Sequence, residues 1–124
     1  MTEQVGMYKV ALAALETAGG VLALANPEGV PLIIKRLILD VTTKATGACT
    51  VDAGIAANGT TLNDTLLDGL DVGTAAGVFD NIEHQGTNGV SAKRWGTTEY
   101  LTISKASGNA AGLVGNAYIE YVRV

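Results

Sequence analysis

Residues 66–81, LLDGLDVGTAAGVFDN, hold the residue types from which a site is most easily built. Gly69, Gly73 and Gly77 recur every four residues, with Asp68, Asp71 and Asp80 between them. Four readings compete. A phosphate loop needs glycine amides followed by a lysine that meets the phosphates, and no lysine stands near this stretch. An EF-hand calcium loop needs acidic side chains at alternate positions ahead of a glycine and a late bidentate glutamate; Asp64, Asp68 and Asp71 are spaced too irregularly, leaving only a looser oxygen cage. Glycines four apart can also let two helices approach, but that signal belongs to apolar membrane segments and this stretch is punctuated by aspartates. The remaining reading is a short strand or turn over residues 66–72, then a glycine-permissive connection leading to Phe79 as an apolar anchor.

A second candidate is AKRWG, where Lys93, Arg94 and the single tryptophan, Trp95, stand together. An exposed cation–aromatic patch of this kind suits an acidic partner surface; the plain alternative is a strand with a basic end and Trp95 in the core. Catalysis finds no constellation. His84 is the sole histidine and Cys49 the sole cysteine, so neither a Cys–His nucleophile pair nor a zinc site can be composed. No spacing selects two carboxylates for glycosidic chemistry. The expectation is no catalytic residue, no cofactor and no metal, with partner contacts at Lys93, Arg94, Trp95, Asp68, Asp71, Phe79 and Tyr8.

Charge is unevenly distributed. The net charge is −4, against a nucleic-acid partner bound through a broad basic face. Between positions 45 and 92 lie Asp52, Asp64, Asp68, Asp71, Asp80 and Glu83, and no lysine or arginine. A chain divided in this way can present an acidic rim and a basic rim to neighbours, or simply be solvated. The first residues lack a basic region ahead of a long apolar core, so no secretory signal is expected, and the sequons at Asn58 and Asn63 carry little weight. Apolar runs such as VPLIIKRLILDV are broken by charge well short of the roughly 20 residues of a membrane span, so no membrane association is expected.

The elements that must position these residues follow a period of two. In KRLILDVTT, Leu37, Leu39 and Val41 share one face, whereas Leu32 and Ile34 upstream have the other parity, so a bulge is expected near Lys35 and Arg36. ACTVDAGIA places Cys49, Val51, Ala53 and Ile55 on one face; EYLTISK points Leu101 and Ile103 inward and Tyr100, Thr102 and Ser104 outward. NAYIEYVRV is apolar on both parities, as a central or covered strand is. Between these runs lie AGG, NPEG, ATG, NG and SGNAAG, as turns do. About eight strands are expected, near 6–14, 20–25, 31–43, 48–56, 66–72, 90–95, 98–105 and 115–123, in one all-β sandwich domain spanning residues 1–124. MYKVALAALE is ambiguous between helix and strand, and residues 1–8, ending at Tyr8, can serve as an arm toward a neighbour. At 124 residues, with 48% hydrophobic and 16% charged residues, the chain has enough apolar content for a core and for an interface besides, hence a homo-oligomer or attached subunit.

Four phrases, GGVLALANPEGVPLII, LILDVTTKATGACTVDAGIAANG, DTLLDGLDVGTAAGVFDNIEHQGTNG and ASGNAAGLVGNAYIEYVRV, cover most of the chain from Gly19 onward. In these the chain resembles a family of small structural proteins of tailed bacteriophages, encoded beside the major capsid protein and called head, decoration or cement proteins. The resemblance implies a jelly-roll-like β-sandwich that binds the major capsid protein, often as a homotrimer on the capsid surface of the virion, after synthesis in the host cytoplasm. It supplies no ligand residues. A receptor- or glycan-binding virion module, such as a head fibre or tail-associated domain, is the alternative, poorly supplied here with aromatic side chains for stacking on sugars.

Overall fold

The computed structural model describes residues 4–124. The described residues form nine strands: β1 (Val5–Ala11), β2 (Leu22–Ala25), β3 (Leu32–Thr43), β4 (Cys49–Ala56), β5 (Leu67–Asp71), β6 (Gly77–Asp80), β7 (Lys93–Trp95), β8 (Tyr100–Gly108) and β9 (Val114–Arg123). They make two antiparallel sheets. The first runs β1-β9-β3-β6, with β7 also on β3; the second runs β2-β8-β4-β5. β6 and β7 share one edge of β3, since β6 pairs with Ile38–Val41 and β7 with Leu32–Ile34. With the three-residue β7 set aside, the chain passes between the sheets in the order of an eight-stranded jelly roll. The expected all-β sandwich is thus the observed architecture.

The core lies between the sheets. Its side chains are Leu32, Ile34, Leu37, Leu39 and Val41 of β3, Ala117, Ile119 and Tyr121 of β9, Val51, Ala53 and Ile55 of β4, and Leu101 and Ile103 of β8, together with Leu66, Leu67, Leu70 and Trp95. The parity change along β3 is resolved as expected: pairing with β9 steps from Ile34↔Tyr121 to Arg36↔Glu120, a bulge that returns Leu37 to the core face. Central position explains the two-sided apolar character of β9, which lies between β1 and β3.

Three expectations change. The connection after Val72 is not irregular throughout, because Gly77–Asp80 pairs with β3; Gly77 and the acidic neighbours hid a strand only four residues long. Thr102 and Ser104 lie on the outward parity of β8 yet are fully buried. Loops cover that face: Thr102 Oγ1 donates to the Thr61 carbonyl at 2.9 Å, and Ser104 Oγ accepts the Gly19 N–H at 2.8 Å. At the N-terminus, residues 5–11 are strand β1, ladder-paired to β9, so Tyr8 sits opposite Ile119; residues 1–3 of the expected arm fall outside the described residues. After Ala11 the chain turns the corner between sheets, with Leu12 N–H donating to Gly115 and Ala13 N–H to Val21.

Candidate contact surface

The acidic stretch builds local structure. Asp71 Oδ1 accepts the backbone N–H groups of Gly73 and Thr74, and Oδ2 accepts the Thr74 hydroxyl at 2.7 Å. These bonds, the Thr74 hydroxyl foremost, hold its carboxyl below the usual range. Asp68 Oδ2 accepts the Asn88 N–H, and the Asp68 N–H donates to Gln85; residues 85–90 are thereby fastened along the free edge of β5. Asp52, 7% exposed, accepts the Gly69 N–H at 2.8 Å, and burial outweighs that bond to raise its carboxyl, with Asp68 and Asp64 adding to the rise. Gly69 has φ 77°, a left-handed conformation suited to glycine. Gly73 is needed for closeness: a Cβ there would stand 2.4 Å from the Gly47 carbonyl oxygen. The four-residue glycine spacing thus unites unrelated local needs. Among the described residues no group of three His, Cys, Asp or Glu is placed to hold a metal ion.

Asp80 and Asn81 join the end of β6 to β3 and to the loop that follows. Asp80 Oδ1 accepts the N–H groups of Glu83 (2.7 Å) and Ile82 (2.9 Å), and Oδ2 pairs with Arg36 at 2.6 Å. The Glu83 bond first, then Arg36, lowers its pKa to about 2. Asn81, wholly buried, uses its side-chain oxygen to accept the Leu37 N–H at 2.8 Å while its own N–H donates to the Leu37 carbonyl. Its amide nitrogen donates to Val90 and Ser91. Asn81 therefore extends β6 along β3 by side chain and ties down the loop to β7. Sequence reasoning passed over it; the one available signal was an Asp–Asn pair at the end of an alternating run.

The expected contact residues do not form one patch. Trp95 is 0% exposed and its indole donates to the Glu99 carbonyl at 2.9 Å; it is a core residue, and the tryptophan of the expected cation–aromatic patch is unavailable to a partner. Arg94 is exposed and Lys93 half-buried on β7. Phe79 points inward, packed against the core with His84 edge-on to its ring at 5.3 Å. His84 Nδ1 accepts the Asp80 N–H at 3.3 Å. The loop between β6 and β7 is bonded to Asp68 and Thr65 beside β5 and leads into Lys93 and Arg94. Cys49 is buried, which pushes its thiol up; it is a small core side chain.

What the structure presents instead is the outer face of the β1-β9-β3-β6 sheet. The register aligns Val5 with Val122 and Ile33, Met7 with Glu120 and Arg36, Lys9 with Tyr118 and Ile38, and Asp40 with Val78. Val5, Met7 and Val78 are exposed by 60%, 56% and 66%, with no loop across them among the described residues. Lys9 Nζ stands 5.8 Å from the centre of the Tyr118 ring. The opposite sheet differs, since its outer face carries the loops that bury Thr102 and Ser104. In that cover, Asn58 and Asn63 accept the hydroxyls of Thr60, Thr61 and Thr65, so both sequons are turn-forming pairs.

Fold and surface together define a jelly-roll sandwich with one covered and one bare outer face. No family model matches the chain, and no curated protein matches it. Among solved structures the chain is similar to a chain described as the capsid of Ralstonia phage GP4, with a TM-score of 0.57 and 21% sequence identity. The likeness covers 97% of this chain and 83% of that one, and at this identity it is a likeness of fold.

Proposed function

We propose that this protein is a structural component of a tailed-phage virion, a decoration or cement subunit that binds the major capsid protein at the capsid surface and stabilises the shell. The observation that carries the reading is the fold likeness to a phage capsid chain along 97% of this chain, and the four phrases quoted above bear on it independently. The bare sheet face supports the reading: Val5, Met7 and Val78 offer apolar area that association would remove from water. A homotrimer is the expected oligomer, and the shell gains stability from added interface between capsomers, with no chemical step.

The test is co-sedimentation of the purified protein with heads of the phage that encodes it, together with a mass-spectrometric inventory of its virions. Saturable binding and presence in the particle are expected. Absence from virions, with no binding to heads, would end the reading.

A further inference from the structure

We infer that Asn58 is a self-modification site, where the side-chain amide closes onto the Gly59 nitrogen, loses ammonia and becomes a carboxylate. The chain has two Asn–Gly pairs, at 58–59 and 88–89, and both asparagines are exposed in turns. Glycine has no side chain to screen its nitrogen from the residue before it. Neither the Gly59 nor the Gly89 N–H has an acceptor among the described residues. The two pairs share this chemistry and differ in what surrounds the amide.

The Asn58 side-chain oxygen accepts three hydrogen bonds, from the Thr60 N–H at 3.0 Å, the Thr60 hydroxyl at 2.9 Å and the Thr61 hydroxyl at 2.8 Å. Attack of the Gly59 nitrogen on Cγ drives negative charge onto this oxygen, so donors already stand where charge develops. At Asn88 the arrangement is reversed. Its amide nitrogen, the group that must leave, donates to Asp64 Oδ2 at 3.0 Å, and its backbone N–H donates to Asp68 Oδ2 at 3.1 Å. Its side-chain oxygen accepts no bond among the described residues. Two carboxylates beside the reacting atoms oppose an anionic transition state. The fold thus presents both pairs to water and activates one.

Water is the only other reactant. Gly59 N bonds to Asn58 Cγ and loses its proton to solvent, the Cγ–Nδ2 bond breaks, and the nitrogen takes up a proton and leaves as ammonia. Water then opens the cyclic imide. Opening at Cγ gives aspartate; opening at the backbone carbonyl gives isoaspartate, whose main chain runs through Cγ and is one carbon longer. This turn has no slack for that carbon. A Cβ on Gly19 would stand 1.9 Å from the Gly59 carbonyl oxygen, and the Thr61 carbonyl accepts the Thr102 hydroxyl at 2.9 Å. Isoaspartate at 58 therefore loosens, with the age of the molecule, the loop cover over the second sheet. Nothing in this chemistry depends on a virion role.

The test incubates the protein at mildly alkaline pH, native and unfolded in urea, and quantifies deamidated and isoaspartyl peptides by mass spectrometry. In the native protein Asn58 should convert about tenfold or more faster than Asn88. In urea the two should differ little. Thr60→Val with Thr61→Val removes both hydroxyls and should slow native Asn58 roughly three- to tenfold, with its rate in urea nearly unchanged; melts confirm that the variant is folded. Asp64→Asn, which leaves the 58–61 turn untouched, should speed conversion of native Asn88. Equal native rates at the two sites, no conversion of native Asn58, or an unchanged or faster Asn58 in the folded double variant would each overturn the inference.

Discussion

Replacing Asn81 by alanine tests whether the β6–β3 junction is held as the geometry requires. In the parent, Leu37 is wholly buried and its N–H has the Asn81 side-chain oxygen as partner at 2.8 Å. Alanine leaves that N–H without an acceptor in a site closed to water, at about 1–3 kcal/mol. The carbonyls of Val90 and Ser91 lose a donor too, but both residues are exposed and water can replace it. The void left by the amide adds to the cost, for a sum of about 2–4 kcal/mol. Unfolding entropy per residue gives about 4 °C per kcal/mol at this length, so Tm should fall by about 8–15 °C. Circular dichroism melts at one fixed protein concentration measure it, because association would move Tm by mass action. Asn81→Asp keeps the acceptor and loses the donor. Buried against carbonyls, that carboxyl should have a raised pKa, so the variant is closest to the parent below about pH 4 and loses stability as pH rises toward the raised value. An alanine variant within about 2 °C of the parent, at unchanged urea m-value, would refute the assignment of the Leu37 bond.

Asp80, lowered to about 2, contributes stability that is fully present above the unfolded value near pH 4 and is lost as pH falls through about 2. Asp80→Asn should cost roughly 1–2 kcal/mol at pH 7, allowing for the exposure of Arg36, and flatten this acid limb in urea titrations. Trp95 should emit as a buried indole, shifting red only on unfolding, and Trp95→Phe should cost roughly 2–3 kcal/mol from lost volume and the lost Glu99 bond; a water-exposed emission in the native protein would contradict its position. Gly73→Ala should cost at least about 2 kcal/mol because its Cβ meets backbone at 2.4 Å, whereas Gly47→Ala, with nothing within 4 Å, should change Tm little; equal effects would show that the β4–β5 approach is looser.

Strand periodicity was legible wherever one face was buried and the other wet. β3, β4 and β9 follow their alternation, and even the bulge at Lys35 and Arg36 was readable, because a parity change in an apolar strand has few other resolutions. Two kinds of feature were not. β6 is short and starts at a glycine, so pairing with β3, not local preference, makes it a strand. Thr102 and Ser104 read as solvent-facing because their cover comes from distant loops, Gly19 and Thr61, which alternation cannot see. The contact residues suffered from the same limit. Composition drew attention to a rare tryptophan and a run of aspartates, whereas burial of Trp95 and the bonds of Asp68 and Asp71 depend on tertiary placement.

The aspartates bear on where recognition can occur. A carboxylate that already accepts two or three bonds is not a free docking charge; a partner would have to replace those bonds before gaining any. Asp71 and Asp80 are engaged in this way, and Asp52 is largely buried. These aspartates therefore fix their own turns, and Asp68 fastens residues 85–88 along the β5 edge. The first sheet has no such cover among the described residues, and Val5, Met7 and Val78 stand exposed on its outer face. The residues that looked most like a site shape the protein, and the exposed side chains of the first sheet, Val5, Met7 and Val78, read as ordinary strand residues.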